Sequence, residues 1–280
     1  MADTRLTHDL WLERVPELLD ECVEEWSLRL GEPYPLGAAG YAVGAELDDG
    51  TPAVLKLIYP HREAEHEAAA LTAWDGDGAI RLLRSDAERW AMLIERCDPG
   101  TLLAHAGPET ALAVLVDVLP RLWKRVDGPF RSLADEAAIW LDEIPTDWER
   151  AGRPCEQALI DDVMETLSDL AASQGEQVLL HQDLHTDNVL AARREEWLVI
   201  DPKPLLGERE LGVAPIVRDY VLGHSRAEVL RRLEYLTSSL DLDRERALGW
   251  TVGQTVAWMF ESTYLRTHLD TVRWLLEARR

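Results

Sequence analysis

Apolar residues recur at helical spacing from about Leu6 to Leu30 (Leu10, Val15, Leu18, Leu19, Cys22, Trp26), which predicts one or two helices ahead of the main fold. The Pro- and Gly-rich segment 32–40 breaks that pattern. Strand-like runs follow at Tyr41–Leu47 and Ala53–Tyr59, joined by the turn Asp48-Asp49-Gly50, and together they read as a hairpin. A helix is predicted over about His61–Trp74, and the apolar runs Arg81–Leu83 and Trp90–Ile94 add strands to this first region. Beyond Cys97-Asp98-Pro99-Gly100, which has turn chemistry, apolar periods of three to four predict helices over Thr110–Val126, Ser132–Leu141 and Gln157–Ser173. Two short strand patterns, Val189–Ala191 and Trp197–Ile200, flank the polar run Arg193–Glu196 as a second hairpin, and helical periodicity returns over Arg226–Leu236 and Asp243–Leu275. The pattern predicts an α+β chain of two lobes, a small β-rich one over residues 1–96 and a larger, mainly helical one over residues 97–280.

Composition narrows this picture. At 280 residues, with 46% hydrophobic and 29% charged positions, the chain can bury a core in each lobe. The three cysteines, Cys22, Cys97 and Cys155, are odd in number and lack C-x-x-C spacing, so neither a disulfide framework nor a zinc knuckle is implied. With 52 acidic against 29 basic residues the formal charge is −23. A phosphate backbone would be repelled, which argues against a nucleic-acid partner, whereas a cationic small molecule is allowed. Residues 1–21 hold no apolar run suited to a signal peptide or a membrane span, so a cytoplasmic protein without a membrane partner is expected. Nothing in the pattern bears on oligomeric state.

The most informative stretch is His181-Gln-Asp-Leu-His-Thr-Asp-Asn188, followed by the hairpin that ends at Asp201. In an antiparallel hairpin the residue entering the first strand and the residue leaving the second share the open end, so Asn188 and Asp201 converge. A carboxylate and an amide oxygen are the hard ligands that Mg²⁺ prefers, with its other positions left to water and phosphates. Asp183, one loop earlier, faces the same spot. Transfer of a γ-phosphoryl group needs metal ions, a positioned hydroxyl and a carboxylate to accept its proton, and these three residues match those needs. His181, Asp183 and His185 also alternate as metal ligands of a hydrolase would, but the remaining histidines are scattered and form no second paired cluster. Lys56, in the apolar strand Pro52–Ile58, is either an edge-marking lysine or one held for a phosphate, and the glutamates of the following helix (Glu63, Glu65, Glu67) tilt the reading toward phosphate. Gly37, Gly40 and Gly44 could let backbone amides close over phosphates, but their spacing matches neither the Walker loop nor G-x-G-x-x-G, which favours a hairpin-and-turn role.

Lys56, the helix glutamates, Glu95-Arg96-Cys97, HQDLHTDN and Asp201, in that order, resemble the aminoglycoside phosphotransferase family of the protein-kinase-like fold. More narrowly, the stretches from His66 to Gly76, Leu93 to Thr101 and Ile200-Asp-Pro-Lys-Pro204 resemble its streptomycin 6-kinase and hydroxyurea phosphotransferase branch, and the likeness spans about residues 40–220. The resemblance implies ATP and Mg²⁺ as cofactors and a small-molecule hydroxyl as acceptor, in the manner of antibiotic resistance. It further implies Asp183 as catalytic base, Asn188 and Asp201 as metal ligands, and Lys56 as the phosphate lysine paired with Glu67 or alternatively Glu63. The backbones of Glu95 and Cys97 would meet adenine. Gln182 departs from the family's usual glycine, and Pro202-Lys203 replaces the Phe-Gly of protein kinases, as in the branch named above.

By the same resemblance the acceptor wall falls on the C-terminal helices, where Trp250, Gln254, Trp258, Glu261 and Tyr264 recur at roughly helical spacing. Trp258 and Glu261 would stack on and neutralise a polyhydroxylated cation, although aromatic residues so spaced are as readily core. A kinase of an endogenous metabolite, and a nucleotide-binding pseudokinase acting by interaction, are the alternatives to a resistance kinase.

Overall fold

In the computed structural model, which describes residues 7–35 and 40–279, Thr7 caps the first helix, its hydroxyl accepting the Leu10 N–H at 3.4 Å. That helix, α1 (His8–Trp26), ends on Ser27 in the left-handed conformation. The chain then runs through β1 (Arg29–Pro33), β2 (Gly40–Glu46), β3 (Pro52–Ile58), α2 (Glu67–Trp74), β4 (Leu82–Asp86) and β5 (Ala91–Glu95). The five strands make one antiparallel sheet in the order β1-β2-β3-β5-β4. Successive side chains of a strand point to opposite faces. On β3, Ala53, Leu55 and Leu57 therefore pack with Trp11, Val15, Leu18, Cys22 and Trp26 of α1. Val54, Lys56 and Ile58 face the other way, toward α2 and the helical part of the molecule.

The helical part follows as α3 (Pro108–Leu122), α4 (Leu133–Arg150), α5 (Gln157–Ala172), β6 (Val178–Leu180), β7 (Val189–Ala191), β8 (Trp197–Val199), β9 (Leu205–Gly207), α6 (Ala214–Val217), α7 (Arg226–Leu240), α8 (Arg244–Met259) and α9 (Leu265–Arg279). Two short antiparallel pairs, β6 with β9 and β7 with β8, are set among the helices. Helix α8 is buried along nearly its whole length, between α5 and α9. Gly249 and Gly253 allow that approach: a Cβ on Gly249 would lie 2.8 Å from Leu170 Cδ1, and one on Gly253 would collide with the Leu167 side chain. Among the described residues no helix is long and apolar enough to cross a membrane.

Several boundaries differ from the periodicity. The first helical run stops at Trp26, because Arg29–Pro33 pairs with β2 as an exposed edge strand that has no alternating pattern to betray it. The helix expected from His61 begins only at Glu67; residues 62–66 form turns, and Arg62 reaches Glu143 of α4 at 2.7 Å. Helix α4 continues past Leu141 to Arg150, because Trp140, Ile144 and Trp148 extend its buried stripe through Pro145. The Asp243–Leu275 run is broken at residues 260–264. Strands β6 and β9, three residues each, are too short to show periodicity. Gly37 lies outside the described residues, while Gly40 and Gly44 sit within β2 without positive φ.

Trp74 joins the sheet to the helical part. Its indole N–H donates to the Leu122 carbonyl at 2.9 Å, and its ring stacks on His181 at 6.2 Å and 14°. Trp74→Ala is expected to lower unfolding free energy by about 3–5 kcal/mol, the loss typical of truncating a buried aromatic. Trp74→Phe keeps a ring and loses only the indole hydrogen bond, since the Leu122 carbonyl still accepts the Lys124 N–H at 2.9 Å, and should cost only about 0.5–1.5 kcal/mol. Urea denaturation of both variants checks this, and near-equal losses would contradict the separate hydrogen-bond contribution.

Candidate active site

The β7–β8 hairpin pairs Val189 with Val199, and the Ile200 N–H donates to the Asn188 carbonyl at 2.9 Å. Asn188 and Asp201 therefore lie at the same open end, as the hairpin argument required. Asn188 Nδ2 donates to the Asp183 carbonyl at 2.8 Å, which leaves its side-chain oxygen as the atom available to a cation. His181 is packed behind this loop. Its Nε2 faces the Ile200 carbonyl at 2.8 Å and its Nδ1 accepts the Asp183 N–H at 3.3 Å, so both ring nitrogens are occupied and the zinc-ligand reading has no lone pair to use. Burial lowers the His181 pKa to about 4, keeping the ring neutral. His185 supports the loop in the same way: Nδ1 accepts the Asp187 N–H, and Nε2 lies 3.2 Å from Asn188 Nδ2. Asp219 closes the loop from below, accepting from the Thr186 N–H at 3.0 Å and hydroxyl at 2.7 Å.

Gln182 and Asp201 both have positive φ, 64° and 60°. This explains why glycine is the easier residue at position 182: an L side chain in the left-handed region is strained. Gln182 is held there through its carbonyl, which accepts from Gln254 Nε2 at 3.0 Å.

Lys56 emerges from the inner face of β3 and meets two carboxylates, Glu67 Oε1 of α2 at 2.6 Å and Asp201 at hydrogen-bonding contact. Burial opposes its charge, but the two carboxylates together raise its pKa. Lys56 in turn holds the Asp201 carboxyl down at about 2, while burial carries the Glu67 carboxyl up to about 7. Glu63, the alternative partner of Lys56, instead approaches Lys203, at 3.7 Å.

Asp183 is the second focus. Lys203 Nζ lies 3.0 Å from its Oδ2 and Arg218 Nη2 3.8 Å from its Oδ1. Burial would raise this carboxyl, but Lys203, His185 and Arg218 outweigh it and hold the pKa below the usual range. Both cations also lie over the Trp258 ring, Lys203 at 4.7 Å and Arg218 at 5.0 Å from its centroid. Arg218 donates to Gln254 at 2.5 Å, and burial lowers its pKa to about 10.

The fold thus brings together Lys56, Glu67, Asp183, Asn188, Asp201 and Trp258. Glu261 does not join them: it lies beyond α8 with an 84% exposed side chain, 3.6 Å from Arg150. Trp250 is core, its indole donating to Glu208, and Tyr264 stacks on Tyr220 at 4.7 Å. The Glu95 carboxylate is taken by the Arg194 guanidinium, two contacts of 2.9 Å, and by the Arg81 N–H, so only its backbone is at issue for a nucleotide. Cys97 is half-buried beside it, its thiol pushed up to about 12 by burial. Sequence reasoning missed Arg218 and saw Lys203 only as a motif departure. The available signals were a lysine fixed between Pro202 and Pro204, and an arginine closing the apolar run 211–217.

Among the described residues no three His, Cys, Asp or Glu side chains gather to hold a metal by themselves. Two oxygen donors, Asn188 and Asp201, fit a magnesium ion that arrives with phosphates better than a resident ion.

A family model described as aminoglycoside/hydroxyurea antibiotic resistance kinase matches residues 37–263. The chain is 36% identical over 261 residues to streptomycin 6-kinase of Streptomyces griseus, covering 90% of this chain and 85% of that one. It is 38% identical over 250 residues to hydroxyurea phosphotransferase of Kitasatospora aureofaciens, covering 88% and 72%. Similar solved structures are a thermostable mutant of aminoglycoside phosphotransferase APH(4)-Ia in ternary complex with ADP and hygromycin B (TM-score 0.63, 14% identity, 94% of this chain and 96% of that one) and choline kinase LicA from Streptococcus pneumoniae (TM-score 0.65, 13%, 94% and 99%). At that identity they bear on the fold, a small antiparallel sheet joined to a mostly helical part, as the sequence predicted.

The Lys56 cluster generates a pH-dependent prediction. A carboxyl whose folded pKa lies above its unfolded value contributes stability that is lost as pH rises through the folded value, here about 7 for Glu67. Lys56 restrains that loss. Lys56→Met should therefore destabilise by about 3 kcal/mol at pH 8 and clearly less at pH 5, where Glu67 takes up a proton. Urea denaturation at both pH values reads the difference, and equal losses would sink the argument.

Proposed function

The chain belongs to the aminoglycoside/hydroxyurea antibiotic resistance kinase family, and we propose that it transfers the γ-phosphoryl group of ATP to a hydroxyl of a small molecule, an aminoglycoside of the streptomycin kind or hydroxyurea. The observation that carries this reading is the convergence of Asp183 with the Lys56–Asp201 pair at one end of the β7–β8 hairpin. Asp183 is the acceptor side of the reaction, and Lys56 with Asp201 is the donor side. In this reading the backbones of Glu95 and Cys97 receive the adenine, and Lys56, oriented by Glu67, meets the α- and β-phosphates. Because ATP is its co-substrate, we expect the protein to work in the cytoplasm.

The chemistry asks little covalent help of the protein. The acceptor oxygen forms a bond to the γ-phosphorus as the bond from that phosphorus to the β–γ bridging oxygen breaks. The hydroxyl proton passes to Asp183, and ADP leaves with the bonding pair. Magnesium, when bound through Asn188 Oδ1 and Asp201, supplies charge neutralisation for the phosphates. Asp183 is oriented for its task by the backbone bonds of its loop, from its own N–H to His181 and from Asn188 to its carbonyl.

The acceptor is the finer point. Lys203 and Arg218 both lie over the Trp258 ring and both approach Asp183, so the ring and the carboxylate flank the same two cations. A cationic acceptor would meet those two charges near the reacting hydroxyl, so in this reading its charged groups lie further out, toward the Tyr220–Tyr264 pair.

Purified enzyme with Mg-ATP and a panel of streptomycin, other aminoglycosides, hydroxyurea and hydroxylated metabolites tests the reading; phosphorylation of none, with nucleotide still bound, would favour an interaction role instead. Asp183→Asn should lower turnover of the active acceptor by about 10²–10⁴-fold while leaving nucleotide affinity nearly intact, and near-normal turnover would remove Asp183 from the role of base. Asp201→Asn should weaken nucleotide binding in the presence of magnesium more than in its absence; unchanged calorimetric affinity would count against its metal role.

A further inference from the structure

Three cations face the reaction centre, and they are not equally free. Lys56 is neutralised by Glu67 and Asp201. Arg218 is buried, closes α6 and is fixed to Gln254 by a 2.5 Å hydrogen bond. Lys203 has one partner at hydrogen-bond distance, Asp183 at 3.0 Å, while Glu63 lies beyond it at 3.7 Å and the Trp258 ring lends only its face. An ammonium carries three donors on a flexible four-carbon stem, so Lys203 has donor capacity left and rotatable bonds with which to redirect it. Its backbone does not move with it: the Lys203 N–H is bonded to the His181 carbonyl at 3.0 Å, and Pro202 and Pro204 stiffen either side.

Its position matters as much as its freedom. Lys203 stands two residues beyond Asp201 in the same loop, yet its side chain reaches Asp183, so it spans the donor and acceptor ends of the site. The transferred group must cross that interval. We propose that Lys203 is a further catalytic residue: it holds Asp183 in the nucleotide-free site and turns its ammonium onto the terminal phosphoryl oxygens when ATP binds. Lys203 takes up no proton and forms no covalent bond; it exchanges one anionic partner for another and leaves Asp183 open to the acceptor hydroxyl. This rests on the kinase reading above, and goes beyond it by assigning the γ-phosphoryl contact to a residue outside the HQDLHTDN loop.

The test separates the two. Calorimetric affinities of wild type, Lys203→Met and Lys203→Arg are measured for Mg-AMP-PNP and Mg-ADP, which differ by the terminal phosphoryl group. Lys203→Met should lose roughly tenfold or more in AMP-PNP affinity, the worth of one hydrogen bond to a charged group, with ADP affinity nearly unchanged as the check on folding. Lys203→Arg should recover part of the loss, and Lys203→Gln replaces the methionine variant if the latter does not fold. An unchanged ratio of the two affinities would reduce Lys203 to a counter-ion of Asp183 and overturn the proposal while the kinase reading stands. Wild-type protein that binds neither nucleotide would overturn both.

Discussion

One buried cation between two carboxylates, Lys56 with Glu67 and Asp201, is the contact on which the arrangement of the site depends. The three groups come from a strand, a helix and a hairpin end, the last 145 residues away along the chain. Lys56 and Glu67 are not stable there as lone charges, because an unpaired buried charge costs several kcal/mol, while Asp201 meets Lys56 from the more open side. Together they fix the inner face of the sheet against α2 and against the open end of the β7–β8 hairpin. The hairpin is also tied from its other end, where the Arg194 guanidinium binds Glu95 and the carbonyls of Gly76 and Ala79. Sheet and hairpin are therefore held at two points, and the site lies at one of them.

The two loops that enter and leave the hairpin store strain. Gln182 and Asp201 adopt positive φ without being glycine, and such residues persist only where the surroundings over-determine them. Here the surroundings are visible: Gln254 holds the Gln182 carbonyl, Lys56 holds the Asp201 carboxylate, and His181 bonds backbone on both sides while stacking on Trp74. The neutral, buried imidazole works as a structural strut rather than as an acid or base.

Electrostatics run opposite to the bulk composition. A chain of formal charge −23 repels a nucleotide at long range, yet Lys56, Lys203 and Arg218 converge at the site, each within reach of a carboxylate. Acidic partners keep these cations in place, and in the proposed reading a nucleotide would enter a cluster already assembled. A preorganised cluster of this kind costs little reorganisation when negative charge enters, which is what phosphoryl transfer needs from a protein.

From the sequence alone the class of fold was legible, and so was the meeting of Asn188 and Asp201 at the open end of one hairpin, because both depend on local signals: periodicity, a short polar loop and the geometry of a hairpin. The pairing of Lys56 with Glu67 rather than Glu63 was open in the sequence, since both lie near the start of α2 and differ by about one helical turn; only the packed helix decided it. Trp250 and Trp258 share a helical spacing, and nothing local told core from site. The tertiary structure buried the first against Glu208 and set the second beneath two cations, while Glu261 was carried past the helix end into solvent. The roles of Lys203 and Arg218 were hidden for the same reason, although each stood out locally as a cation in an apolar or proline-bounded setting. Their meaning comes from meeting Asp183 across loops, and contact across loops is a property of packing, which single positions in a sequence do not record.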